Sequence, residues 1–468
     1  MDQSNRYIYT CESLHKRVHI SRDRESLGIF LALAASSTIQ LGPSHPLLNS
    51  QRDVKDLTAR LRSASSSCIQ LWRNSGERMN EFAVMLIYQN LVLTSLQSED
   101  RDNKTRKQLD DELKDGLEDL AHYVFKADLH EDPRTGIVFP SWSVEMRCCL
   151  FVAAYSIDKS LCAALRRPPM IPYDSFESSI LPLEFEDKTI DSYMVKDYEI
   201  MADQISFEGW SGTYCTATWL RLRFRLSVFR EELYRPNRHS KETLQDIYKR
   251  LSDEWGGLPN HTKYPCAQKD QCTEKQRLLL ASIFLEYLFI WFQAEQSVYQ
   301  HTSTSQNRLI PVAQRIVSTL LDITPRIQSA DGLHRGYSWI ILYYGIPSAR
   351  LLALALNESL LPKAAHHFLE SFPRGKTISN LAGFIARMDM VIMTQEGNSN
   401  ALRDIHQRFA RSFDFAMNCL GNAAKGNATA TSADKDSNEA VPSGPDYERT
   451  RKVLDGIQLR INDEFWLL

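Results

Sequence analysis

The chain has 468 residues, 43% hydrophobic and 24% charged, which is enough apolar material for one large core or two to three smaller ones. Its 55 Lys and Arg stand against 58 Asp and Glu, a formal charge of -3, the reverse of the basic balance of a dedicated nucleic-acid-binding domain. None of the nine cysteines (Cys11, Cys68, Cys148, Cys149, Cys162, Cys215, Cys266, Cys272, Cys419) belongs to a CxxC pair, the spacing that lets one short turn supply two zinc ligands, so no metal and no cofactor is expected.

In chain order, the opening "MDQSNRYIYTCESLHKRVHI" lacks the basic-then-apolar layout of a secretory signal, so the reducing interior of a cell is expected and disulfides are not. Apolar residues then recur at three- and four-residue spacing, which predicts helices over 27–40, 54–73, 79–97, 106–127, 144–165, 212–234, 240–255, 273–300, 307–327, 337–357, 360–371, 375–394 and 398–421. Breakers separate them: "LGPSHP", "EDPRTG", "RRPP" and "GGLPN". The most apolar window, "LLLASIFLEYLFIWF" at 278–292, is interrupted by Glu286 and is too short to cross a bilayer unaided, so no membrane span is expected. The stretch 421–446 is small and polar and reads as a flexible linker. Helical character returns over 447–468, where Val453, Ile457, Leu459, Ile461 and Trp466 partly form an apolar face. Its end, "NDEFWLL", fits either a helix docking back onto the domain or an acid-flanked aromatic motif offered to a coactivator groove. The expected fold class is all-α: a large irregular helical domain over 76–420, an N-terminal helical segment over 1–75, then linker and terminal helix.

Candidate chemistry is scarce. His15 and His19 share a helix face but lack the cysteine pair of a zinc finger, and the adjacent His366 and His367 point to different faces. No GxxxxGK[ST], GxGxxG or HExxH occurs, and Ser211-Gly212 lacks the strand and helix of a nucleophile elbow. The carboxylate neighbours Asp110 with Asp111 and Glu231 with Glu232 read as solvated helix faces. In "RLRFRLSVFR" at 221–230, Leu222, Leu226 and Phe229 form a core stripe, with Arg221, Arg223, Arg225 and Arg230 around it on long stems. Catalysis is not expected.

The most informative segment is "EMRCCLFVAAYSIDKSLCAALRRPPMI", 145–171. Read as a helix, it places Leu150, Phe151, Ala154, Ile157, Asp158, Leu161 and Leu165 on one broad face. A carboxylate in an apolar stripe must be paired or hydrogen-bonded, and Arg167, just past the helix end, is the expected partner for Asp158. Pro168 and Pro169 lead the chain out in extended form.

This layout resembles the signature of the fungal transcription factor regulatory domain, or middle homology region, approximately E-x-R-R-R-L-F-W-x-x-Y-x-L-D-R-x-x-S-x-x-L-G-R-P-x-x-I. Matches are Glu145, Arg147, Leu150, Phe151, Tyr155, Asp158, Leu165, Arg167, Pro168 and Ile171, with Ile157 and Lys159 as conservative replacements. Departures are Cys148 and Cys149 for two arginines, Val152 for tryptophan, Cys162 for serine and Arg166 for glycine. The flanking "LHEDP" at 129–133, Leu181-Pro182, "LSDEWGGLP" and "FLEYLFIWF" are similar to further family segments, and the likeness is good over 79–190 and diffuse to 360. "ALAASSTIQLGPSHPLL" is similar to part of an uncharacterised fungal domain. The resemblance implies a nuclear, helical regulator of DNA-templated transcription that reaches DNA only indirectly, since the six-cysteine zinc cluster of the family is not found in this sequence. It also implies protein partners, among them a DNA-binding relative, a coactivator, or a second chain in a homodimer or heterodimer, together with a small-molecule effector and no membrane. The alternative is a helical ligand- or partner-binding protein outside transcription.

Overall fold

The structure is a computed structural model and describes residues 24–40, 51–76, 79–95, 103–133, 141–165, 167–176, 180–184, 215–234, 241–265, 273–299, 306–327, 340–360, 372–393 and 399–429, with residues 448 and 452. Helices are α1 (Arg24–Gln40), α2 (Gln51–Ser75), α3 (Glu81–Ser95), α4 (Asn103–Lys126), α5 (Ser141–Leu165), α6 (Thr216–Tyr234), α7 (Lys241–Gly257), α8 (Glu274–Tyr299), α9 (Gln306–Ile327), α10 (Ile346–Glu358), α11 (Arg374–Met393) and α12 (Ser399–Thr429). No β-strand occurs among the described residues, and the fold is all-α. The expected helix over 360–371, the segment 447–468 and the histidines at 15, 19, 366 and 367 lie outside them, apart from Leu360, Glu448 and Lys452.

Local signals in the sequence start and stop these helices. Asn80 caps α3, its Oδ1 accepting from Ala83 N at 2.9 Å. Thr273 and Gln276 form a reciprocal capping box ahead of α8: Gln276 N donates to Thr273 Oγ1 at 3.2 Å, and Thr273 N donates to Gln276 Oε1 at 2.9 Å. At the end of α4, Asp128 takes the left-handed conformation (φ 52°) and Leu129 N reaches back to Val124 O at 3.0 Å, the wide bond of a Schellman stop. One boundary differs from expectation, since α12 continues to Thr429 and the first residues of the expected linker are helical. Extending an existing helix fixes one residue per hydrogen bond, and Ala423, Ala424 and Ala428 are good formers, so the small polar composition does not stop it.

Two apolar clusters hold the helices together. The first joins Trp72 of α2 with α3, α4, α5 and the segment after α5, through residues such as Leu91, Leu113, Phe151, Tyr155 and Ile171. The second joins α6 to α12, through Leu226, Phe289, Val317, Leu352, Phe384 and Phe409 among others. α6 serves both: Phe224 enters the first cluster, while Leu222, Leu226, Phe229 and Leu233 enter the second. The expected stripe of Leu222, Leu226 and Phe229 is therefore core.

α8 contains the one stretch among the described residues that is long and apolar enough to cross a membrane, Gln276–Gln296, 21 residues by composition and length. Here 72% of it is buried inside the protein, and Glu286 within it is paired (below), so the helix serves as the centre of the second cluster.

Before α10 the chain makes one π-helical turn, Ile341–Gly345. The turn brings backbone against the core, because a Cβ on Gly345 would lie 2.6 Å from Phe384 Cε2 and 2.9 Å from Leu320 Cδ1. Gly345→Ala is therefore expected to destabilise the protein by about 1–3 kcal/mol through overpacking, in spite of the better helix propensity of alanine. A lowered urea midpoint at constant m-value is the reading that checks it.

Candidate functional site

Glu145, Phe151, Tyr155 and Asp158 of the signature lie along one buried seam between α5, α6 and the strap formed by 167–176 and 180–184. Asp158 is fully buried and accepts from Met170 N at 3.1 Å, Ile171 N at 3.1 Å and Lys159 Nζ at 2.7 Å. Lys159, fully buried beside it, donates in addition to Ile171 O and lies 3.2 Å from Glu231 Oε2 on α6. Its ammonium sits 4.0 Å from the centroid of the Tyr155 ring, a cation–π contact made strong by exclusion of water. Glu231 completes the group by accepting from Tyr155 OH at 2.8 Å and from Tyr173 N at 3.1 Å.

The same device recurs on either side. Glu145 accepts from Leu183 N at 2.8 Å, Arg221 donates to Pro182 O at 3.1 Å, and Thr218 donates to Glu184. Charged side chains of α5 and α6 thus hold the strap by its backbone at Met170, Ile171, Tyr173, Pro182 and Leu183, and Thr218 holds it through the Glu184 side chain. Phe176 of the strap locks between aromatic rings, with centroids 4.8 Å from Phe151, 5.3 Å from Tyr155 and 5.7 Å from Phe224.

Arg147 works at the other end of α5. It donates to Ala127 O at 2.9 Å and Asp128 O at 3.2 Å, satisfying the carbonyl end of α4, and lies 3.5 Å from Glu81 in the first turn of α3. Leu165 packs against the first cluster.

Three expectations are corrected. Asp158 does not pair with Arg167: the Arg167 side chain is exposed, and its described bond is that of its backbone N to Cys162 O at 2.9 Å, which closes the end of α5. The neighbouring Lys159 takes the carboxylate because its stem lies along the buried face, whereas Arg167 and Pro168 have already turned to solvent. Glu231 is not on a solvated face; it is buried in the seam, and only Glu232 beside it faces outward to Arg250. Arg221 and Arg230, expected as surface stems, are each 1% exposed.

Arg230 extends the seam toward the second cluster. It donates to Ser160 Oγ at 2.9 Å and lies 3.2 Å from Glu286 of α8, which is also 3.8 Å from Arg223. At this junction the carboxylates of Asp158, Glu231 and Glu286 face the cations of Lys159, Arg230 and the partly exposed Arg223. Sequence reasoning missed Lys159, Glu231, Arg230 and Glu286 as a group. The available signal was ionic residues inside apolar helix faces on three different helices.

The chemistry of this seam is that of a clamp. Burial, then the charge and hydrogen bond of Glu231, raise the Tyr155 phenol well above its usual range, and burial, then the nearby Asp158 carboxylate, raise the Cys162 thiol. Both stay neutral, and a buried thiol held neutral is inert. Among the described residues, no three His, Cys, Asp or Glu side chains gather as metal ligands. A cavity of about 10 Å³ between α6, α7 and α8, lined by Leu226, Leu251, Trp255 and Ile283 among others, has room for no more than one water. Compared with protein-family models, with curated proteins and with solved structures, the chain matches none of them.

Proposed function

We propose that the chain is a fungal transcription factor-like regulator of DNA-templated transcription, working in the nucleus through its helical domain and through protein partners. The reading is supported by one observation above the rest. Glu145, Arg147, Phe151, Tyr155 and Asp158, five of the residues matched in the resemblance, seat α5 against α3, α4, α6 and the strap, whereas Arg167 and Pro168 are exposed. A motif with such a job has a reason to keep its spacing, which favours a shared scaffold over a chance match of residue types. The balance of charge agrees with an indirect route to DNA, since a formal charge of -3 gives no general attraction to phosphates.

Fusion of the whole chain to a heterologous DNA-binding domain tests it. The tethered protein is expected to change the output of a reporter at least several-fold, up or down, and Asp158→Ala in the same fusion is expected to abolish the change. A fusion that is folded and nuclear yet leaves the reporter at baseline would sink the reading and favour the helical ligand- or partner-binding protein outside transcription.

A further inference from the structure

Glu295, one turn before the end of α8, is a carboxylate that the fold buries without a buried counter-charge. Its side chain is 4% exposed, whereas Arg308 in the first turn of α9, its one cation among the described residues, is 67% exposed and lies 3.6 Å away. The carboxylates of the α5–α6–α8 seam are served differently. Asp158 and Glu231 share the fully buried Lys159, and Glu286 faces Arg230, which is itself buried. On the α7 side stands Tyr248, buried and stacked on Trp291 of α8 with centroids 4.6 Å apart. Its hydroxyl is buried near the Glu295 carboxylate, beyond the length of a full hydrogen bond. The ionised form of Glu295 is therefore poorly compensated: water is excluded from the carboxylate, and solvent screens the cation that faces it. One proton removes the charge and turns the carboxyl into a hydrogen-bond donor as well as an acceptor, within reach of a phenol that lacks a close partner.

We propose that the joint of α7, α8 and α9 is a proton-linked fastening, which holds more tightly when Glu295 takes up a proton and slackens when the carboxylate is charged. The titratable groups that face Glu295 are Arg308 from α9 and Tyr248 from α7, and both favour the charged form. Burial outweighs them and holds the carboxyl above the ordinary 4.5 of a glutamate. An unfolded chain has the ordinary value, so the folded protein binds this proton more tightly. The stability gained is complete below the unfolded value and is lost as pH rises through the folded one. α7 is the element that responds, because it enters the second apolar cluster through Ile247, Tyr248 and Leu251, and Tyr248 is seated directly on α8 beside the carboxylate. The inference stands independently of a role in transcription.

Urea unfolding of the full chain from about pH 7.5 down to about pH 5 tests it, with Glu295→Gln as the neutral mimic of the protonated form. At the upper end the variant is expected to have a folding equilibrium constant several-fold above that of the wild type, and the gap is expected to close as the pH falls. Fluorine NMR of the 5-fluorotryptophan-labelled protein, with the Trp291 resonance assigned through Trp291→Phe, reads the joint directly and needs no variant at Glu295. In the wild type that resonance is expected to move with a midpoint above 4.5, the ordinary value of a glutamate. In Glu295→Gln it is expected to stay flat, and in Arg308→Ala its midpoint is expected to rise, because an opposing cation has been removed. A Glu295→Gln protein that is less stable than the wild type at neutral pH, or a gap that does not close on acidification, overturns the proposal. So does a wild-type Trp291 resonance with no step above the ordinary glutamate value, or one whose step survives in Glu295→Gln.

Discussion

Asp158→Ala is expected to cost about 3–5 kcal/mol of stability, the range found when one partner of a buried ion pair is removed. The substitution leaves two strap amides, Met170 N and Ile171 N, without their acceptor, and leaves the Lys159 ammonium with Glu231 as its remaining carboxylate. Water cannot compensate, because both side chains are fully buried. Arg167→Ala is expected to change stability by no more than about 0.5 kcal/mol, since the exposed side chain it removes holds nothing and its backbone bond to Cys162 O remains. Urea unfolding of the two variants side by side is decisive. Equal losses would mean that Arg167 is the true counter-ion; a small loss for Asp158→Ala would mean that the strap is not held by the clamp. Limited proteolysis gives an independent reading, with cleavage near residues 170–184 expected in Asp158→Ala alone.

How much of this was legible in the sequence depends on the range of the interaction. Helix positions follow from local apolar spacing, and the Thr273–Gln276 capping box is complete within four residues, so both can be read directly. Asp158 was legible as a buried acid that needs a partner, because its place in the apolar face of α5 is also a local fact. Its partner was not, because the choice between Lys159 and Arg167 depends on where the chain turns after Leu165, and two proline residues say only that it must turn. Glu231 and Glu286 were harder still. Each interrupts the apolar face of its own helix, which is a local signal, but the cation it meets is decided only when α5, α6 and α8 come together, which periodicity does not encode. The extension of α12 to Thr429 shows the opposite failure, in which composition is weaker than propagation from a helix already formed.

Arg230 offers the second large effect and a sharper test of why charges are retained at this junction. Arg230→Met is expected to destabilise by about 3–5 kcal/mol, because Glu286, 4% exposed, is left with Arg223 at 3.8 Å as its nearest cation. Combining Arg230→Met with Glu286→Leu is expected to recover most of that loss, since the buried pair is then replaced by apolar groups of similar size. The neighbours tolerate the change. Ser160 Oγ keeps its bond to Ser156 O at 2.9 Å, and Arg223, 25% exposed, keeps solvent and the face of Trp219 at 4.8 Å. A double-mutant cycle measures the difference, and strictly additive losses would show that the Arg230–Glu286 contact contributes no coupling. Because α6 contributes to both apolar clusters, the cycle also bears on cooperativity. If this ion pair fixes the seating of α6 on α8, Arg230→Met splits a single unfolding transition into two, the α3–α5 side holding after the α8 side has opened, and the apolar double variant restores one transition. An unsplit transition in Arg230→Met would mean that the apolar contacts of Leu226 and Phe229 with α8 suffice to join the two clusters without the charge.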